Sequence, residues 1–220
     1  MYLIPQSKTI TPISMLVECP SQAISESASD YFQHVIIDLE TLSLRTDAAI
    51  VSIGAVALDK SLEVCGQFYC PVDIQSCLKH KMRVDACTLR WWLIQEREAQ
   101  NALLYDAAPL TNALVEFSCW LNHGDDECET WCHIWANGPE FDCAVLNDAF
   151  HRILPRRMES TSIWNYQHVQ SIRTLWLLNE ELNLGCKYMD NLPKHNALFD
   201  AYREAMFVRD VYRALDKYRF

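Results

Sequence analysis

Glycine is scarce in this chain, with only 5 residues among 220. None of them lies in G-x-x-x-x-G-K or G-x-G-x-x-G, the patterns whose backbone amides bind the phosphates of nucleotides. The sequence therefore excludes a P-loop nucleotide site and a dinucleotide-binding fingerprint.

Long hydrophobic runs are also absent. No apolar stretch approaches the roughly 20 residues that a membrane-spanning helix needs. The first residues lack the basic segment of a signal peptide and are interrupted by Pro5, Pro12 and Pro20. We therefore expect a cytoplasmic protein with no membrane partner.

Paired cysteine spacings are missing, although the chain contains 10 cysteines. No C-x-x-C occurs, and the one metal-like cluster is Cys128, Cys132 and His133, which has no second ligand pair to complete a zinc site. Thiols scattered along a long chain without a signal peptide are typical of reduced, buried cysteines. A zinc- or redox-linked cysteine protein is therefore the weaker alternative.

Positive charge is in deficit, because 19 Lys and Arg residues face 29 Asp and Glu residues and the formal net charge is −10. This balance argues against a broad basic surface for nucleic acid. It does not exclude an enzyme whose acidic site is neutralised by divalent ions.

The hydrophobic pattern predicts an α/β fold of a single layered domain over residues 32–220, preceded by a loosely packed leader over residues 1–31. The predicted strands are residues 34–40, 49–58, 66–72 and 131–136. The predicted helices are residues 85–103, 109–121, 137–153, 170–182 and a last one that begins near residue 195. The short polar loop TLSLRTD makes the first two strands an antiparallel pair.

An acidic pair interrupts the first predicted strand, in the stretch HVIIDLETLSL. Because side chains alternate along a strand, Asp38 and Glu40 point to the same side. Two carboxylates on one side of a buried strand repel each other unless a cation lies between them.

Three further residues are candidates to join this pair. Asp142 lies in the first turn of the helix that NGPEFD opens, and His195 and Asp200 lie in KHNALFDA at the start of the last helix. Each has an ordinary structural explanation on its own: a carboxylate at a helix N-terminus, a cap or surface histidine, and a solvated helix position.

The ordered series D-x-E, N-G-x-x-F-D and H-N-A-x-x-D-A resembles the DEDDh branch of the DnaQ-like exonucleases, which have an RNase H-like fold. Small exonuclease VIII-like and exoribonuclease-like proteins of phages, prophages and bacteria also match DAAIVSIGA, TLRWWLIQ and WANGPEFD. The resemblance covers about residues 33–217 and departs at Ser171, where such relatives usually carry an acidic residue. It implies a mixed sheet of three antiparallel strands plus parallel strands, flanked by helices.

The resemblance also implies a 3′-5′ exonuclease that uses two Mg²⁺ or Mn²⁺ ions on DNA or RNA 3′ ends. Asp38 would bridge the ions, Glu40 and Asp200 would complete one site, and Asp142 would support the other. His195 would be the general base. A nucleic-acid or protein-binding module that keeps the fold without turnover is the alternative.

Four residues are candidate substrate contacts. By resemblance, Thr41 and Leu42 would touch the terminal nucleotide, and Asn137 and Trp92 are further candidates. For the adjacent Trp91 and Trp92, core packing is favoured over base stacking, and at most one is expected to meet a base, because neighbouring helix residues face different directions. The sequence decides neither DNA against RNA nor the oligomeric state, although dimers among related exonucleases make a homodimer the expectation.

Overall fold

A five-stranded mixed sheet forms the centre of the computed structural model, which describes residues 32–101, 103, 107–122, 132–153 and 163–217. The strands are β1 (His34–Thr41), β2 (Ile50–Leu58), β3 (Val64–Pro71), β4 (His133–Ala136) and β5 (Val169–Ser171). Their order is β3-β2-β1-β4-β5. The first three are antiparallel, and β4 and β5 continue the sheet in parallel, which confirms the predicted arrangement. The predicted leader over residues 1–31 lies outside the described residues.

Seven α-helices are described around the sheet within these ranges. They are α1 (Ile74–Lys79), α2 (Ala86–Leu93), α3 (Arg97–Asn101), α4 (Leu110–Leu121), α5 (Asp142–Ile153), α6 (Ile172–Glu181) and α7 (Ala197–Asp216). None of the described helices is long and apolar enough to cross a membrane.

Two helix predictions were wrong in their extent. The helix predicted over residues 85–103 is two helices, because the chain turns after Leu93 and the side-chain amide of Gln100 donates to the carbonyls of Leu93 and Gln95, each at 2.9 Å. The helix predicted from residue 137 begins only at Asp142, after a turn in which the amide of Phe141 donates to Gly138. Strand β5 and helix α1 were not predicted, since each is too short to carry a periodic pattern.

The two sides of β1 belong to two different apolar cores. Val35, Ile37 and Leu39 pack with α4 and α5, whereas Ile36 packs with α6 and α7. Asp38 and Glu40 share the side of Ile36, because side chains alternate along the strand. Both carboxylates therefore face α7.

Gly54 sets how closely α7 approaches the sheet. It pairs with Asp38 across the β1–β2 ladder, and a Cβ added to Gly54 would lie 2.1 Å from the carbonyl carbon of Ala197. The capping side chain of Asn196, which accepts from the amides of Leu198 and Phe199, starts the helix at this point. The absence of a side chain at Gly54 thus lets the first turn of α7 lie directly against the strand beside Asp38.

We predict that Gly54→Ala will destabilise the protein by at least about 2 kcal/mol, since the added methyl group meets main-chain atoms that cannot move alone. Thermal unfolding measures the loss. Gly66→Ala is the matched control in the same sheet, because its Cβ would meet the ring edge of Phe32 at 2.8 Å and a side chain can shift. Equal stability of the two variants would contradict the role assigned to Gly54.

Candidate active site

Three carboxylates meet where the start of α7 crosses β1. One oxygen from each of Asp38, Glu40 and Asp200 lies within 4.8 Å of the other two. The strand supplies the first two from adjacent positions of one face, and the first turn of the helix supplies the third. Carboxylate oxygens at this spacing are ligands that suit a hard divalent cation such as Mg²⁺ or Mn²⁺.

Asp142 reaches the same strand from the neighbouring element. The β1–β4 ladder has its last pair at Ile36 and Trp135, so the amides of β1 beyond that point have no strand partner on this side. Asp142, at the start of α5, fills the gap, and its Oδ1 accepts from the amide of Leu39 at 3.3 Å. Asp142 is 7% exposed, and its charge acts on Asp38 and Glu40.

Burial of these acids makes the cluster electrostatically unfavourable without a cation. Burial raises the pKa of Glu40 to about 8, and the charge of Asp142 adds to the shift. The pKa of Asp142 is raised to about 7, again mainly by burial. Burial, followed by the charges of Glu204, Asp142 and Glu40, raises the pKa of Asp38 well above its usual value.

A fifth acid in this region was not predicted from the sequence. Glu204 lies one turn after Asp200 on the same side of α7, is 6% exposed and has an Oε2 atom with no hydrogen-bond partner. Burial and the charge of Asp142 raise its pKa to about 8. The signal that could have identified it is the i, i+4 spacing from Asp200, which places both carboxylates on one helix face.

His195 precedes the capping residue of α7 and has a left-handed backbone, with φ of 61°. Its ring packs edge-to-face against Trp91, with 4.8 Å between the ring centroids. Burial, followed by the charges of Arg203 and Lys194, lowers its pKa, which favours the neutral imidazole. His195 also lines a cavity of about 460 Å³, together with Gln95, Glu96, Ala99, Leu192, Pro193 and Lys194.

The side chains of Trp92 and Leu42, two of the predicted substrate contacts, are buried, which leaves only main-chain contacts for Leu42. Trp92 is 1% exposed and donates its indole N–H to the carbonyl of Thr41 at 2.9 Å, and Leu42 is 2% exposed in the core. The hydroxyl of Thr41 donates to the carbonyl of Ser43. Asn137 is exposed just after β4 and remains a candidate. Of this adjacent pair, Trp91 is the one that reaches the surface, with 40% exposure.

Comparison with known proteins gives a family match over most of the chain. The model of the family described as 3′-5′ exoribonuclease Rv2179c-like domain matches residues 33–212. An exodeoxyribonuclease of Enterobacteria phage T4 is 21% identical over 199 residues, which cover 79% of this chain and 86% of the phage protein.

Solved structures of exonuclease I have the same fold. The E. coli enzyme in complex with a dA16 oligonucleotide superposes with a TM-score of 0.61 and 13% identity over 84% of this chain and 42% of that chain. Exonuclease I from the moderately thermophilic Methylocaldum szegediense gives a TM-score of 0.60 and 14% identity over 84% of this chain and 41% of that chain. The chain thus spans less than half the length of the exonuclease I chains it matches, and the likeness establishes an RNase H-like fold.

We predict that the metal-free protein will lose stability as the pH rises from about 6.5 to about 8.5. The raised pKa values of Glu40, Asp142 and Glu204 mean that the folded state binds more protons than the unfolded state until the pH passes about 7 to 8. Below about pH 6.5 the buried His34, with a pKa of about 4, has the opposite effect on stability, because there the unfolded state binds more protons at this residue than the folded state. Urea unfolding at several pH values measures the slope.

Glu204→Gln should flatten this pH dependence, because it removes one of the carboxyl groups that gives up a proton only at high pH. Glu181→Gln, an exposed position on α6, is the matched control and should leave the slope unchanged. Mn²⁺ should restore stability most strongly at the upper end of the range. Stability that stays level or rises with pH in the wild type would contradict the electrostatic description of the cluster.

Proposed function

Because the chain belongs to the 3′-5′ exoribonuclease Rv2179c-like domain family, we propose that it is a metal-dependent 3′-5′ exonuclease that releases nucleoside 5′-monophosphates. The observation that carries this proposal is the convergence of Asp38, Glu40 and Asp200 within 4.8 Å, from two separate elements of the fold. Beside them Asp142 is buried, and burial raises the pKa values of Glu40 and Asp142, which is unfavourable without a cation and fits a cation site.

The donor set supports two Mg²⁺ or Mn²⁺ ions. Every candidate ligand is a carboxylate oxygen, and hard cations of this kind prefer oxygen over nitrogen or sulfur. Asp38 and Glu40 with Asp200 would hold one ion, and Asp38 with Asp142 would hold the other. When bound, such ions supply positive charge for the scissile phosphate and lower the pKa of a water molecule.

His195 is suited to accept the proton of the attacking water. Its lowered pKa keeps a ring nitrogen unprotonated at neutral pH, and the edge contact with Trp91 limits the orientation of the ring. In the hydrolysis a water oxygen forms a bond to phosphorus while the bond from phosphorus to the 3′ oxygen of the preceding nucleotide breaks. The terminal nucleotide then leaves as a 5′-monophosphate.

Single-stranded 3′ ends are the substrate that the comparisons favour. The exonuclease I neighbour was solved with a dA16 strand, the phage relative is named an exodeoxyribonuclease and the family description names an exoribonuclease. Trp91 offers an exposed ring beside His195 on which a base could stack. The ions would also offset the net charge of −10 where a polyanion must bind.

We predict that the purified protein shortens 5′-labelled single strands stepwise from the 3′ end only when Mg²⁺ or Mn²⁺ is present. Matched DNA and RNA strands, each with a free or a blocked 3′ terminus, separate the substrate classes. Glu40→Gln should reduce the rate roughly 10³-fold, because it removes a ligand charge from the metal site. Glu181→Gln should retain the wild-type rate. A wild-type protein that binds the strands without shortening them would favour the binding module instead.

Trp91→Ala is expected to raise KM for single strands about 5- to 150-fold, since one stacked base contributes about 1–3 kcal/mol. Trp91→Phe keeps an aromatic face and should lie close to the wild type. Leu93→Ala is the control for losing an exposed apolar side chain that is not aromatic, because Leu93 lies two residues from Trp91 and is 64% exposed. A fall in kcat with unchanged KM would instead mean that Trp91 only supports His195.

A further inference from the structure

Arg203 lies inside the molecule, between the carboxylate cluster and the segment that leads to His195. It projects from α7, and its side chain is 11% exposed. The guanidinium forms an ion pair with Asp200, three residues earlier on the helix. The same group donates through Nη1 to the carbonyl oxygens of Leu192 at 3.0 Å and of Pro193 at 2.9 Å.

The ion pair holds one side of the Asp200 carboxylate, and the backbone holds the other. Oδ1 contacts Arg203, whereas Oδ2 accepts from the amide of Asn196 at 3.1 Å. A carboxylate with a donor on each oxygen has a defined plane, so its remaining lone pairs point in fixed directions. This is the property that a metal ligand requires.

The two carbonyl contacts hold the segment before His195. Leu192 is 8% exposed and packs against Phe199 of α7, so the segment is attached to the helix by one apolar contact as well as by Arg203. His195 has a φ of 61°, which a non-glycine residue adopts only when its surroundings impose it. Arg203 hydrogen-bonds this segment to the part of α7 that carries Asp200.

We propose that Arg203 is a positioning residue that fixes His195 relative to Asp200, because one guanidinium holds both the Asp200 carboxylate and the segment that precedes His195. The inference rests on the proposed exonuclease function. Only arginine suits this task, because its planar fork serves an anion and two carbonyls at once, whereas the single ammonium of lysine serves fewer partners with less defined geometry.

A simpler explanation is that Arg203 merely offsets the negative charge of the cluster. Burial raises the pKa values of Asp38, Glu40 and Glu204, and Arg203 acts against that rise in all three. The two explanations differ in their consequence for metal binding. If Arg203 were only a counter-ion, its removal would tighten Mn²⁺ binding, because a competing positive charge would be gone. If it orients Asp200, its removal weakens Mn²⁺ binding.

The test compares Arg203→Gln and Arg203→Lys with Arg209→Gln, which removes a partly exposed arginine that pairs with Asp210 on the same helix. Mn²⁺ affinity of the substrate-free protein is measured by calorimetry. The rate at which diethylpyrocarbonate modifies His195 is followed by mass spectrometry, and kcat and KM are measured with saturating Mn²⁺. Thermal unfolding verifies that each variant is folded.

The expected result for Arg203→Gln is Mn²⁺ affinity weaker by about 10- to 100-fold, a similar fall in kcat and little change in KM. His195 should be modified several times faster than in the wild type. Arg203→Lys, which keeps the charge, should recover only part of each loss and remains informative if the glutamine variant does not fold. Arg209→Gln should match the wild type in all measurements.

Tighter Mn²⁺ binding in Arg203→Gln, wild-type reactivity of His195, or equal effects of Arg209→Gln would each overturn the proposal. Failure of the exonuclease function is distinguishable from these outcomes. A wild-type protein that binds Mn²⁺ but degrades no strand would refute the enzyme, while Mn²⁺ affinity and His195 reactivity would still decide the role of Arg203.

Discussion

The contact between the start of α7 and Gly54 is the constraint on which the rest of the site depends. It brings the start of α7 within van der Waals distance of β2, and the adjacent strand β1 carries Asp38. Any side chain at this point of β2 would lift the helix away and separate Asp200 from the acids of β1. The apolar core between α7 and the sheet supplies the free energy that holds this approach, since Ala201, Ala205 and Val208 are fully buried.

That packing energy is used to assemble groups that repel one another. Asp38, Glu40, Asp142 and Glu204 are carboxyl groups whose burial raises their pKa values, so the folded chain carries an electrostatic cost at neutral pH without bound cations. Arg203 offsets part of this cost from within the protein. Strain of this kind, concentrated at one place in an otherwise well-packed fold, is typical of functional sites, where the ligand supplies what the protein lacks.

The proposed function requires an acidic protein to bind a polyanionic substrate. Positive charge is needed only at the scissile phosphate, and bound divalent ions would provide it there without a basic surface. Beside that point the structure presents apolar surface, with Trp91 next to His195 and Leu93 and Ile94 exposed nearby. Stacking and local metal charge together would replace the extended phosphate contacts of basic nucleic-acid-binding proteins.

The sequence by itself determined the features that depend on local periodicity. Strand alternation places Asp38 and Glu40 on one side, the short loop after β1 predicts the antiparallel pairing of the first two strands, and the ordered motifs indicate the family. Contacts between distant segments decided the rest. Burial distinguished Trp91 from Trp92, and the packing of α7 on the sheet placed Glu204 and Arg203 beside the acids of β1. These features depend on which surfaces contact each other in the folded protein. The hydrophobic pattern of one segment does not specify the segment against which it packs.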